Sequence, residues 1–249
     1  MRLDLSIVIP AFNESQRITP TLKEVDAYLR DSDMSYEILV VDDGSDDDTV
    51  TVVDALRGHI PNLRCIESKP NRGKGHAVRV GMLAARGDVR VMTDADGSIP
   101  AEQLPAIVNP IRLGQSDIAI GSRYTDGAAV DQKQPFYRVW WSRFANRVVQ
   151  LMLLRGINDT QCGFKAFSAE AAEAVFTRAT IDGWAFDLEA LALATRLGYS
   201  VTEVGVRWSD DARSRINPIA DALNVARELF TIRKNLRRRV YGELAPHSG

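Results

Sequence analysis

The chain has only two cysteines in 249 residues, Cys65 and Cys162, without C-x-x-C spacing. That scarcity argues against a disulfide framework and against a zinc knuckle. No stretch reaches the roughly 18 apolar residues a membrane-spanning helix needs, so any membrane role is expected to be peripheral. The opening MRLDLSIVIP has a short apolar run and no secretory-signal pattern, so a reducing cytosolic compartment is expected. Net charge is small, −2 at neutral pH, which gives no global case for nucleic-acid binding. The three histidines, His59, His76 and His247, are isolated from one another. Neither a Ser-His-Asp arrangement nor a histidine metal centre is supported. There is no internal repeat, low-complexity tract or Pro/Ser linker.

Hydrophobic residues make up 45% of the chain, enough for one large core. Short apolar runs alternate with amphipathic stretches through the first half. Leu5–Pro10, Tyr36–Gly44, Leu63–Ser68 and Val89–Asp96 read as strands, and Thr19–Arg30, Asp46–Arg57 and Gly75–Ala85 as helices. Asp46 or Asp47 is a plausible cap for the second helix. Near-continuous apolar strands separated by helices predict an α/β fold with a mainly parallel sheet covered on both faces. The second half is less regular. Asp117–Arg123, part of Asp159–Ser168 and Val201–Trp208 read as strands. Phe136–Arg155, Ala169–Thr177, Asp187–Leu197 and Pro218–Val240 read as helices. The simplest organisation is a catalytic domain over 1–216 and a basic amphipathic helix and tail over 217–249.

The stretch VMTDADGSIP puts Asp94 and Asp96 one residue apart after an apolar run. On a strand, i and i+2 share a face, so the two carboxylates repel unless a cation or water intervenes. Three other polar clusters follow strands: Pro10–Glu14, Asp42–Ser45 and Asn71–Gly75. In a parallel sheet these share one edge, where α/β proteins bind ligands. Cys162 is read as a packing residue.

The ordered motifs IPAFNE, VVDDGSDDDT, NRGKGHAVRVG, TDADGS, GSR and DTQCGFK resemble those of family 2 glycosyltransferases with the GT-A (Rossmann-like) fold. Within that family the likeness is to polyprenyl-phosphate (dolichyl-phosphate) glycosyltransferases. WAFDLEAL and DTQCGFK look like the glucose rather than the mannose branch. The resemblance covers roughly residues 5–216. It implies an inverting transfer of a hexose from a nucleotide-sugar, UDP-glucose first, to polyprenyl phosphate. It also implies a divalent cation, Mg²⁺ or Mn²⁺, at Asp94 and Asp96, with Asp96 the direct ligand. Hard cations of this kind take oxygen ligands and bridge to phosphates. Ser98 departs from the glutamine often found there in the mannose branch.

Further roles follow from the resemblance. Pro10, Ala11, Phe12 and Glu14 would line the base and ribose pocket, together with Ala95. Asp43 would accept from the base, and Lys74 would contact the diphosphate. Capping of the following helix is the competing role for Asn13 and Glu14, and a solvated loop for Lys74. Arg123, Arg138, Ser142 and Arg213 or Arg215 would bind the acceptor phosphate, a task suited to planar guanidinium groups. Asp187 is the candidate base if one is used, with a helix N-cap as its competing role.

Phe136–Arg155 and Pro218–Val240 mix apolar and basic residues as interfacial helices do. Peripheral attachment to the inner face of the membrane is therefore expected, and the C-terminal helix could also pair two copies. Three competing functions stand beside the first: another donor (GDP-mannose, UDP-galactose or a UDP-N-acetylhexosamine), a nucleotidyltransferase, and a non-catalytic nucleotide-sugar-binding module. AFNES replaces the Gly-rich loop that a nucleotidyltransferase carries after its first strand.

Overall fold

The structure is a computed structural model that describes residues 3–125, 129–130, 153–154, 156–208 and 218–242. The helical segment expected over Phe136–Arg155, including Arg138 and Ser142, lies outside the described residues apart from Leu153 and Leu154. The loop that carries Arg213 and Arg215 lies outside them as well.

The strands are β1 Leu3–Ala11, β2 Tyr36–Asp42, β3 Leu63–Glu67, β4 Gly87–Met92, β5 Ile118–Ser122, β6 Ala129–Val130, β7 Lys165–Ser168, β8 Val201–Gly205 and β9 Arg207–Trp208. The helices are α1 Ile18–Arg30, α2 Thr49–Leu56, α3 Lys74–Ala84, α4 Leu104–Arg112, α5 Ala169–Phe176, α6 Phe186–Arg196 and α7 Pro218–Arg237. Seven strands form one sheet in the order β3-β2-β1-β4-β7-β5-β8, and β6 pairs with β9 apart from it. All neighbours in the large sheet are parallel except β7, which runs antiparallel to β4 and β5.

Side-chain alternation divides the core between the two faces. Leu5, Ile7 and Ile9 pack with α1, α2 and α4. Val8 and Met92 pack on the other face with α3, α5, α6 and α7. Leu229, Ile232 and Leu236 of α7 are buried in that second cluster, so this helix is part of the core that backs the sheet. Strand order reverses direction about β1, because β2 and β3 lie on one side and β4 on the other. The crevice beyond the carboxyl ends of β1 and β4 is where such sheets bind ligands.

Two local expectations change, and one helix, α4, has no counterpart in the sequence reading. α2 begins at Thr49, after Asp48, and neither Asp46 nor Asp47 is its N-cap residue. The Asp47 carboxylate still accepts from the Thr49 N–H at 3.0 Å. The strand expected over Val201–Trp208 breaks at Val206, whose N–H donates to the Ser122 carbonyl, and its end pairs with β6. Helix α4 was masked in the sequence by Pro105 and Pro110. Proline is tolerated in the first helical turn, where the N–H has no helical partner.

Candidate active site

The four expected polar clusters do converge at the carboxyl edge of the sheet, where hydrogen bonds join their loops. Asn13 sits in the left-handed region at φ 56°, which asparagine tolerates better than most residues. Its side-chain oxygen accepts from the Asp46 and Asp47 N–H groups. Glu14 donates its N–H to Thr49 Oγ1 at 2.8 Å, and its carboxylate pairs with Arg17. Neither side chain caps α1, whose N-cap is Arg17. The first two loops therefore form one brace that holds Phe12, 42% exposed, at the rim. Pro10 and Ala11 are buried in β1, immediately before this rim. Ala95 is also buried, and its carbonyl accepts from Thr21 Oγ1 at 2.8 Å.

Asp42 and Asp43 organise loops. Asp42 accepts from the Gly44 and Ser45 N–H groups and from the Ser45 hydroxyl. Asp43 is 2% exposed, and its oxygens take the Arg72 and Gly73 N–H groups, the latter at 2.6 Å. Burial raises its pKa against the pull of these donors. Its carboxylate faces the Asn71–Gly75 loop and ties that loop to the end of β2. Gly73, at φ 118°, permits the turn that follows, and a side chain there would overlap the Asp182 carbonyl.

This turn delivers Lys74 to the acidic pair. Lys74 Nζ lies 2.5 Å from Asp94 Oδ1, which excludes a fully solvated loop lysine. Burial opposes its charge, but Asp94, Asp187 and Asp96 outweigh that and raise its pKa. Asp96 accepts from the Ser98 N–H at 3.0 Å, so Ser98 orients this carboxylate through its backbone. Among the described residues no group of three or more His, Cys, Asp or Glu side chains could hold a metal. Two carboxylates at the rim, one already bound to a cationic group, still fit a hard divalent ion completed by substrate phosphates. Asp94 and Asp96 would hold it.

DTQCGFK contributes more than its sequence suggested. Asp159, fully buried, takes both the Nε and Nη2 of Arg123, at 2.8 and 3.0 Å. Burial alone would raise the Asp159 pKa, but Arg123 holds it below the ordinary carboxylate range. Arg123 thus has one edge of its fork committed to the fold, and its guanidinium lies over the Tyr124 and Trp208 rings. Gly163 packs on Asp94, where a methyl group would overlap the carboxylate. The Cys162 thiol is pushed up to about 11 by burial, consistent with packing rather than nucleophilic attack. Lys165, 1% exposed, donates to the Cys162 carbonyl at 2.5 Å and pairs with Asp187 Oδ1 at 2.8 Å.

Asp187 lies inside α6 beyond its N-cap Ala185, so the N-cap role is excluded. Burial raises its pKa, with Lys165 and Lys74 opposing. The site therefore alternates in charge: Lys165, Asp187, Lys74, Asp94. Asp182, Glu228 and Lys165 carry structural weight that no local pattern announced. Each finds its partner far along the chain, as Asp182 does with Arg72 and Arg79.

Residues 6–176 match the glycosyl transferase family 2 domain. A dolichyl-phosphate β-glucosyltransferase of Drosophila melanogaster is 37% identical over 243 residues, 92% of this chain and 74% of that protein. The protein of the same name from Homo sapiens is 34% identical over 242 residues, again 92% and 74%. Among solved structures, glucosyl-3-phosphoglycerate synthase of Mycobacterium tuberculosis superposes with a TM-score of 0.69 at 21% identity, over 99% of this chain and 82% of that one. That structure contains Mn²⁺, UDP-glucose and phosphoglyceric acid.

Proposed function

The chain belongs to glycosyl transferase family 2, and from that premise we propose that it transfers glucose from UDP-glucose to a dolichyl-type polyprenyl phosphate. The observation that carries this reading is likeness over nearly the whole chain to dolichyl-phosphate β-glucosyltransferases, joined to a Lys74–Asp94–Asp96 constellation at the sheet's switch point. Lys74 is suited to receive the donor diphosphate, moving from one anion, Asp94, to another. A divalent cation at Asp94 and Asp96, when bound, would neutralise charge on the departing nucleotide.

The acceptor explains why no histidine base is required. A phosphate monoester has a second pKa of about 6, so its oxygen is already anionic at neutral pH. The remaining Nη1 edge of Arg123, with Arg138, Ser142 and Arg213 or Arg215, would hold that phosphate in line with the anomeric carbon. Asp187 needs no proton-abstracting task here. Its charge, flanked by Lys165 and Lys74, serves to fix the lysine that meets the diphosphate.

Attachment to a membrane surface belongs to the same reading. Between Asn224 and Gly242 the chain has six basic residues and one acid, Glu228. No salt bridge engages Arg227, Arg233, Lys234, Arg237, Arg238 or Arg239 among the described residues. A hollow of about 450 Å³ is lined by Phe230, Arg233, Lys234, Arg237 and Arg238, with Phe230 64% exposed. Cations with no salt-bridge partner among the described residues, beside an exposed ring, suit an anionic interface. No helix among the described residues is long and apolar enough to cross a membrane.

The test is to incubate the purified chain with Mn²⁺, a short polyprenyl phosphate and a panel of nucleotide-sugars. UDP-glucose should give glucosyl-phosphoryl lipid, seen by mass spectrometry. Turnover with GDP-mannose in preference to UDP-glucose would overturn the choice of donor.

A further inference from the structure

We propose that the exposed ring of Trp184 is a stacking platform for the pyranose of the donor sugar, an inference that rests on the glycosyl-transfer reading above. Trp184 is 46% exposed, yet the backbone around it is held from several directions. The Ala185 N–H donates to Glu228 of α7 at 2.8 Å. The Asp182 carbonyl accepts from the His76 N–H, and its carboxylate pairs with Arg72 and Arg79. Upstream, the Thr180 and Ile181 N–H groups donate to the buried Glu189. Ala185 and Phe186 on its C-terminal side are buried. A tryptophan ring normally removes a large apolar area from water. Here a fixed backbone presents one to solvent, which is the arrangement of a preorganised contact rather than of a frayed loop.

The position of the ring selects its ligand. Lys74 Nζ lies 5.5 Å from the ring centroid and 2.5 Å from Asp94 Oδ1. The indole therefore borders the lysine that would meet the diphosphate. In a nucleotide-sugar the hexose hangs from the second phosphate, so its ring falls beside that lysine as well. A pyranose has an apolar C–H face and a polar rim. The flat indole matches the first. Glu228 becomes a positioning residue, because Gly183 and Ala185 rest on its carboxylate.

The experiment measures binding of UDP-glucose and of UDP, each with Mn²⁺, to the wild-type chain and to Trp184→Ala and Trp184→Phe by calorimetry. For Trp184→Ala the Kd for UDP-glucose should rise about tenfold and that for UDP change less than about twofold, while Trp184→Phe stays within about threefold on both. Equal weakening of both ligands, or none, overturns the proposal. So does an unchanged UDP-glucose Kd with a raised KM for polyprenyl phosphate, which would give the ring to the acceptor. A wild-type chain that binds no UDP-sugar overturns the glycosyl-transfer reading and the platform with it. Wild-type affinity in Trp184→Ala overturns the platform alone.

Discussion

Lys165→Met isolates the buried charge pair behind the site. The substitution keeps the length of the side chain and removes the ammonium 2.8 Å from Asp187 Oδ1. Asp187 is 5% exposed, so its carboxylate would be left without its main counter-charge. Breaking a buried pair on one side costs about 3–5 kcal/mol when the remaining group stays ionised. Asp187 can escape part of that cost by taking a proton, so about 3 kcal/mol is the figure to expect near neutrality. For a chain of this size that lowers Tm by about 6–12 °C. Burial already holds the Asp187 pKa above its ordinary value, and loss of Lys165 raises it further. A carboxyl raised in the folded state contributes stability below its unfolded pKa and loses it as pH rises through the folded one. The deficit of Lys165→Met should therefore be large near pH 8 and shrink towards about pH 5. Thermal unfolding followed by circular dichroism at both pH values measures it. A deficit that is the same at both, or that grows on acidification, would refute the reasoning. Lys165→Met combined with Asp187→Asn should recover most of the lost stability without recovering activity.

Gly163→Ala should leave Tm within about 2 °C yet lower kcat/KM at least about tenfold, because the added methyl displaces Asp94 rather than the core; steady-state kinetics beside a melting curve checks both halves. Arg123→Ala should destabilise by about 3 kcal/mol or more, since it strands the fully buried Asp159, whereas Arg123→Lys should recover part of that loss through a single contact; urea titration separates the two. Arg233→Glu with Lys234→Glu and Arg237→Glu should abolish flotation with anionic vesicles at low salt while leaving turnover of a short, water-soluble acceptor within about twofold. Flotation that survives both the charge reversal and high salt would remove α7 from the membrane surface.

Much of the fold is legible in the sequence because its strands are short apolar runs and its helices amphipathic. β1, β2 and β3 end within two residues of their expected limits. Less legible is what depends on pairing at a distance. DTQCGFK reads as a turn and a strand, but nothing local says that β7 inserts antiparallel between β4 and β5. That insertion is what brings Lys165 opposite Met92, two residues before Asp94. The same holds for the site. Asp94, Asp96 and Lys74 announce themselves by charge at strand ends and by flanking glycines. Asp43 announced itself too, and its buried carboxylate also anchors the Asn71–Gly75 loop. The N-terminal edge of the sheet also carries charge: Glu37, 2% exposed, pairs with Arg64 and Arg86. Polar clusters alone therefore do not distinguish the two edges. Position beyond the carboxyl ends of the strands does.

The most direct measurement is a crystal structure of the chain with UDP-glucose and Mn²⁺. The account predicts the diphosphate beyond β1 and β4, the ion on Asp96, and Lys74 Nζ moved from Asp94 to a phosphate oxygen. A nucleotide bound elsewhere, with Lys74 still paired to Asp94 and no ion on either carboxylate, would contradict it.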